Sequence, residues 1–170
     1  MSKKLLTLVL LIISVLTFSA FLSGCQSAAE KATEKAIEQS SGGDAKVDVD
    51  KNQVTVKTDQ GTTTIGETTQ WPSKMPSDVP KFTYGKITAV SETTTADKGV
   101  AEFIAVEGVA LADLTKYTSE LESAGWKIES TTTMTDGYMV SAVKGEQNLV
   151  VSFSKGDKDF SGGIYYTQKK

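Results

Sequence analysis

Apolar residues recur at every second position in short segments through most of the second half of the chain, and this period restricts the fold more than any other feature. Leu149, Val151 and Phe153 follow it, and the run from Val100 to Val106 has apolar residues on both sides. A period of two residues is that of a strand, because successive strand side chains point to opposite faces. The pattern therefore predicts a sheet in which Val100 to Val106 is a central strand.

Six segments after Phe82 have this strand pattern. Asp136-Gly137 and Gly145-Glu146, which separate some of them, are typical of hairpin turns. We therefore expect consecutive segments to pair as antiparallel strands. The six segments are Lys86–Glu92, Val100–Val106, Trp126–Met134, Tyr138–Lys144, Asn148–Ser154 and Phe160–Thr167.

One segment among the strands has a helical period instead. Leu111, Leu114 and Leu121 recur on one face of a helix. Gly125 is placed to end this helix, because glycine readily adopts a left-handed conformation. The order ββαββββ predicts an α+β fold, in which an antiparallel sheet carries one amphipathic helix packed on one face and is preceded by a small β-meander.

Composition divides the chain into five segments. Alanine, glutamate and lysine favour a helix before Gly43, whereas alternating valines favour a hairpin from Val47 to Val56. All three prolines lie within a short stretch that begins at Trp71, which indicates an extended connector. The predicted segments are a signal peptide (1–24), a tether with helical tendency (25–43), a small β-hairpin or meander (44–70), a proline-rich connector (71–81) and the α+β domain (82–168).

The first of these segments, residues 1–24, contains an apolar run from Leu5 to Leu22 that follows Lys3 and Lys4. A basic start, an apolar run and small residues at its end are the parts of a secretory signal peptide. The run is also close to the ~20 residues that span a bilayer. An uncleaved transmembrane helix is therefore the alternative interpretation.

The tetrapeptide Leu22-Ser23-Gly24-Cys25 at the end of the run resembles the lipobox of bacterial lipoproteins. The resemblance implies that the Cys25 thiol receives a diacylglycerol and that cleavage makes Cys25 the first residue of the mature chain. A buried CH₂ group contributes ~0.8 kcal/mol, so two or three acyl chains, such as palmitate, would hold the protein firmly. We expect a protein anchored by lipid to the extracytoplasmic face of the cell membrane.

A second resemblance begins in the connector. Pro76-x-Asp78-Val79-Pro80, followed by Gly85-Lys86-Ile87, is similar to the start of small extracytoplasmic domains in many bacterial lipoproteins. Most of those proteins are uncharacterised. The similarity supports a domain that starts near Phe82 and implies no activity.

Composition also excludes several functions. The chain has no histidine and no arginine, its only cysteine is Cys25, and its net charge is −3. Without histidine there is no Ser-His-Asp triad, no Cys-His dyad and no imidazole ligand for a metal. An acidic chain without arginine is not expected to bind nucleic acid. The sequence therefore predicts no catalytic residues, no cofactor and no metal site.

Two groups of acidic residues have a spacing that could suit a cation. Asp48, Asp50 and Asp59 are spaced like ligands of an EF-hand calcium loop, but Gln53 stands where that loop requires glycine. A hairpin with its acids facing water is the better interpretation. The acids of the 157–159 turn are too few for calcium, which takes six or more oxygens.

Other residues suggest chemistry without a diagnostic spacing. Glu102 and Glu107 could face a glycan, but the acid pair of a glycosidase is defined in space rather than in sequence. Ser154 and Lys155 are neighbours in a strand, so their side chains point to opposite faces. Five aromatic residues could form a sugar-stacking platform or fill the core: Tyr117, Trp126, Tyr138, Tyr165 and Tyr166.

These observations favour a non-catalytic binding or interaction module. It would bind a protein, an envelope polymer or a small ligand through the sheet face that the helix does not cover. The alternatives are a structural or assembly factor of an envelope complex and, less favoured, a carboxylate-based hydrolase. A binding role predicts exposed aromatic residues on the open sheet face, a hydrolase predicts a pocket with two acids of different pKa, and a spacer predicts neither.

Overall fold

The computed structural model describes residues 31–32, 34–36, 38–39, 45–50 and 53–168. The chain divides into two compact units, Met1–Thr62 and Thr63–Lys170. Cys25 and the predicted signal peptide, together with its transmembrane alternative, lie outside the described residues. Across the described ranges, no helix is both long enough and apolar enough to cross a membrane.

The first unit contains a β-hairpin and helical residues that precede it. Strands β1 (Ala45–Asp50) and β2 (Gln53–Thr58) pair antiparallel. The backbone N–H groups of Val47 and Val49 in β1 donate to the carboxylates of Glu38 and Glu34, each at 3.1 Å. These carboxylates satisfy strand donors that would otherwise need water or another strand.

Strand β3 (Gly61–Gly66) crosses the boundary between the units, and the second unit contains six further strands and a helix. The sheet order in the second unit is β4-β5-β9-β8-β7-β6, so that the last strand of the chain lies in the middle. Every neighbouring pair in this order is antiparallel. The elements are β4 (Lys86–Thr95), β5 (Val100–Val109), α1 (Leu111–Ser123), β6 (Lys127–Thr133), β7 (Gly137–Lys144), β8 (Gln147–Lys155) and β9 (Phe160–Gln168).

The fold is β-rich, and the predicted α+β class with one packed helix is wrong. Strands hold 55% of the described residues and helices 16%, and α1 has only 13 residues against nine strands in the described part of the chain. The apolar alternation predicted strands that are shorter than those in the structure. β4 continues through the threonines to Thr95 and β5 continues to Val109, because threonine favours strands without adding to an apolar period.

Helix α1 buries Leu114, Tyr117 and Leu121 in the core. No side chain caps its first turn, where Ala110 is the N-cap residue. Gly125 follows its C-terminus with φ of 85°, a left-handed conformation that glycine adopts without strain. The chain can therefore turn directly from α1 into β6.

The proline-rich connector is fastened to the same core. Its Met75 and Val79 are buried, as is Phe82 just beyond it. The indole Nε1 of Trp126 donates to the Asp78 carbonyl at 2.8 Å, and the Tyr117 hydroxyl donates to the Pro80 carbonyl at 2.9 Å. Backbone carbonyls of the connector are thus satisfied by buried aromatic donors, which fixes its path.

Candidate functional site

The sheet of the second unit has two unlike faces. Residues that are directly opposite on neighbouring strands share a face. Glu102 and Ile104 of β5 are buried on the side where α1 and the connector pack, which we call the covered face. Phe103 and Ala105 point the other way. The side of β5, β9, β8 and β7 to which they point is the open face.

Large apolar side chains lie together on the open face. Phe103 of β5 is directly opposite Tyr165 of β9, which is directly opposite Val150 of β8. Met139 of β7 lies on the same face. The exposed fractions are 42% for Phe103, 43% for Tyr165 and 44% for Met139. We call these four residues the aromatic patch.

Gly163 leaves room for the Phe103 ring beside β9. A Cβ atom at Gly163 would lie 2.7 Å from Phe103 Cζ and would also overlap Phe103 Cε2. The ring therefore occupies the space that a side chain on β9 would fill. Glycine at this position lets the ring lie along the sheet surface.

Charged residues lie at the margins of the open face and not at its centre. Of the described residues that β5, β9, β8 and β7 direct to it, only Glu107, at one end, is charged. The flanking strands add Lys86 of β4, directly opposite Glu107, and Lys127 of β6, which lies 3.9 Å from Glu129. The residues around the aromatic patch are small, hydroxyl-bearing or amide-bearing: Ala101, Ala105, Ser141, Asn148, Ser152, Ser154, Ser161 and Thr167.

An acidic pair lies on the covered face. Glu102 is 1% exposed, and within the described structure neither of its carboxylate oxygens has a hydrogen-bond partner. Glu92 of β4 is directly opposite it, and Lys74 Nζ of the connector lies 2.7 Å from Glu92 Oε2. A buried carboxyl without partners is costly when it is ionised.

Burial, together with the nearby charge of Glu92, raises the pKa of Glu102 to about 7, although the charge of Lys74 lowers it. Tyr166 is opposite Glu102 on β9. Burial, together with the charges of Asp78 and Glu102, raises the pKa of the Tyr166 hydroxyl to about 12. Below pH 7 the Glu102 carboxyl is therefore mostly neutral.

Asp78 joins the connector to β7 and β8. Its Oδ2 lies 3.1 Å from Lys144 Nζ and accepts from Gln147 Nε2 at 3.3 Å. Gln147 Oε1 in turn accepts from the Tyr166 hydroxyl at 3.0 Å. This cluster ties the connector to β7, β8 and β9, so its geometry indicates a structural role.

The residues that the sequence suggested for chemistry are not brought together. Glu102 lies on the covered face, whereas Glu107 is exposed at the end of the open face. Ser154 and Lys155 are consecutive in β8 and point in opposite directions. Of the five aromatic residues proposed for a sugar platform, Tyr165 is exposed, and the others are buried: Tyr117, Trp126, Tyr138 and Tyr166.

The acidic groups do not form a cation site in the described structure. Asp48 and Asp50 are part of β1, and Asp59 lies in the turn after β2. The acids of the 157–159 turn are exposed. No group of three or more cysteine, histidine or acidic residues in the described ranges is arranged to hold a metal ion.

Sequence reasoning did not single out Phe103 for binding. The signal was present, because Phe103 falls between two positions of the other face, but the apolar residues on both sides of the run from Val100 to Val106 were interpreted only as those of a central strand. It also singled out Glu102 for chemistry at the surface, whereas the structure buries this carboxyl.

One comparison with known proteins gives a match. A family model described as START domain-like matches residues 114–161, which run from α1 through β6, β7 and β8 to the start of β9. This segment contains Met139 and Val150 of the aromatic patch but neither Phe103 nor Tyr165. No curated protein and no solved structure matches the chain.

Proposed function

We propose that the protein is a membrane-anchored extracytoplasmic lipoprotein whose second unit is a non-catalytic binding module. The aromatic patch is the observation that carries the binding role. Contiguous apolar side chains at the surface of a folded domain mark sites where another molecule binds. The sequence expectation for a binding module was that exposed aromatic residues would lie on the open face, and Phe103 and Tyr165 lie there.

The geometry of the patch also supports binding. Gly163 leaves room for the Phe103 ring to lie over β9, and Tyr165 is directly opposite Phe103 on that strand. A surface that is already ordered loses less conformational entropy when it binds. The acidic pair offers less support for a hydrolase, because Glu102 is too deeply buried for a substrate to reach its carboxyl.

The membrane anchor is proposed from the sequence. Lys3 and Lys4, the apolar run after them and Leu22-Ser23-Gly24-Cys25 support a lipid-modified Cys25 on the outer side of the cell membrane. Mass spectrometry of the protein from its own cells tests this. We expect a chain that begins at Cys25 and carries two or three acyl chains. An intact leader with a free thiol would contradict the proposal.

Photo-crosslinking in the same cells tests the binding role. p-Benzoylphenylalanine at Met139 places a reactive group in the patch and leaves both aromatic rings in place, and its ketone inserts into C–H bonds of any ligand. The matched control is Leu111, which is 39% exposed but lies in α1, on the covered face of the sheet. We expect adducts at position 139 and not at position 111. Equal labelling, or none at either position, would contradict a binding role for the open face.

A further inference from the structure

We propose that the ligand of the open face is a neutral polysaccharide whose sugar rings lie against Phe103 and Tyr165. This inference rests on the proposed function, because it names the ligand class of the same face. It follows from three properties of that face: the lack of charge at its centre, its paired aromatic rings and its surrounding hydroxyl groups.

The lack of charge at the centre of the face selects the ligand first. Around the aromatic patch, β5, β9, β8 and β7 present no charged residue except Glu107 at one end, and Lys86, Lys127 and Glu129 lie on the flanking strands. A charged group on a ligand would lose water at this centre without gaining an opposite charge, which is costly. The centre of the face is therefore complementary to a neutral ligand.

The two aromatic rings supply the contact area. Phe103 and Tyr165 are directly opposite on neighbouring strands, so their Cβ atoms are about 5 Å apart. The Phe103 ring lies over Gly163 and presents a surface that follows the sheet. An aromatic ring has an electron-rich face. Sugar rings present C–H groups with a partial positive charge on their apolar sides, and these groups fit such a face.

The hydroxyl groups around the rings supply hydrogen bonds. Ser91 of β4 is directly opposite Phe103, Ser152 of β8 is directly opposite Met139, and Thr167 is two residues beyond Tyr165 on the same face. Serine and threonine hydroxyls both donate and accept hydrogen bonds. Sugar hydroxyls do the same, so the two can pair without any charge. A purely apolar ligand would leave these protein hydroxyls unpaired.

Calorimetric titration of the full chain, purified in detergent, tests the ligand class. The probes are the neutral oligosaccharides chitohexaose, cellohexaose and mannohexaose, with the polyanion hexagalacturonate for comparison. We expect at least one neutral probe to bind and hexagalacturonate not to bind. Raising NaCl from about 50 to about 500 mM should leave the affinity unchanged, because salt screens only charged interactions.

Two variants connect binding to the patch. Phe103→Ala and Tyr165→Ala should each lower the affinity by about tenfold or more, because each removes a ring from the contact. Tyr165→Phe keeps the ring and should lose less affinity than Tyr165→Ala. Leu111→Ala, at an exposed apolar residue of α1, is the control and should bind as the unchanged protein does. Thermal unfolding of each variant verifies that it is folded.

The failure of this inference can be separated from the failure of the proposed function. If no neutral probe binds, or if folded Phe103→Ala and Tyr165→Ala bind normally, the polysaccharide inference is wrong. A protein adduct at position 139 in the crosslinking experiment, together with silent titrations, would overturn the polysaccharide but keep the binding module. Silent titrations together with no patch-specific adduct would overturn both.

Discussion

Replacing Glu102 with glutamine should remove the pH dependence that this carboxyl gives to the stability of the second unit. The carboxyl of Glu102 is buried and has no hydrogen-bond partner in the described structure, so the fold favours its neutral form. Its pKa is about 7 in the folded chain, compared with 4.5 for an ordinary glutamate. A change of one pKa unit corresponds to about 1.4 kcal/mol, so the penalty in the free energy of unfolding approaches about 3 kcal/mol.

The direction of this effect follows from where the proton is held. Between pH 4.5 and pH 7 the folded chain keeps the proton on Glu102, whereas the unfolded chain releases it. Stability from this group is therefore fully present below pH 4.5 and is lost as the pH rises to 7. Above that window both states are ionised, and the contribution of Glu102 no longer changes.

Urea unfolding at a series of pH values from about 4 to about 8.5 measures the effect. Fluorescence of Trp71 and Trp126 reports on the second unit, which contains both residues. Glu102→Gln should match the unchanged protein near pH 4, because both side chains are then neutral, and should be more stable by up to about 3 kcal/mol near pH 8. Glu107→Gln, at an exposed residue of the same strand, should follow the unchanged protein. Parallel curves for Glu102→Gln and the unchanged protein would refute the reasoning.

Three further changes test other parts of the structure. Lys74→Met removes a charge that lowers the pKa of Glu102 in the folded chain, so the upper end of the pH window in the same urea series should move upward while its lower end at pH 4.5 stays; an unmoved upper end would contradict this. Leu114→Ala should lower the free energy of unfolding by about 2–5 kcal/mol, whereas Leu111→Ala, at an exposed residue, should lower it by about 1 kcal/mol or less. Equal losses would mean that α1 does not pack on the core through Leu114. Gly162→Ala would put a Cβ atom 2.6 Å from a backbone Cα of β8, so the thermal unfolding midpoint should fall sharply; an unchanged midpoint would mean that the two strands are farther apart.

The sequence predicted elements better than it predicted their proportions. Leu111, Leu114 and Leu121 mark a helix that the structure contains, because an apolar face packed on a core leaves a clear period. The ends of the strands have no such apolar period. β4 extends to Thr95 through polar residues whose strand preference is not visible as apolar alternation. The chain is consequently richer in strands than the α+β prediction allowed.

The period of β5 separates Glu102 from Phe103 but does not show which of the two is buried. The alternation puts Glu102 on the side of Ile104 and Val106 and puts Phe103 on the other. A carboxyl is normally exposed and a phenylalanine normally buried, so residue type pointed away from the observed burial. Periodicity shows that two faces differ, but it does not show which face another part of the chain covers.

Strand β5 therefore places a carboxyl inside and an aromatic ring outside, which is the reverse of what burial alone would favour. A shift in register by one residue would exchange these two positions, but it would also turn Ile104 and Val106 out of the core. Burying such aliphatic side chains contributes about 1.5–3 kcal/mol each, so the pair outweighs the penalty of about 3 kcal/mol at Glu102. The core thus accounts for the register, but it does not account for a phenylalanine at the surface. The ligand that we propose would contact the ring and supply that reason, and Gly163, whose missing side chain leaves room for the ring, lets the ring lie on the sheet.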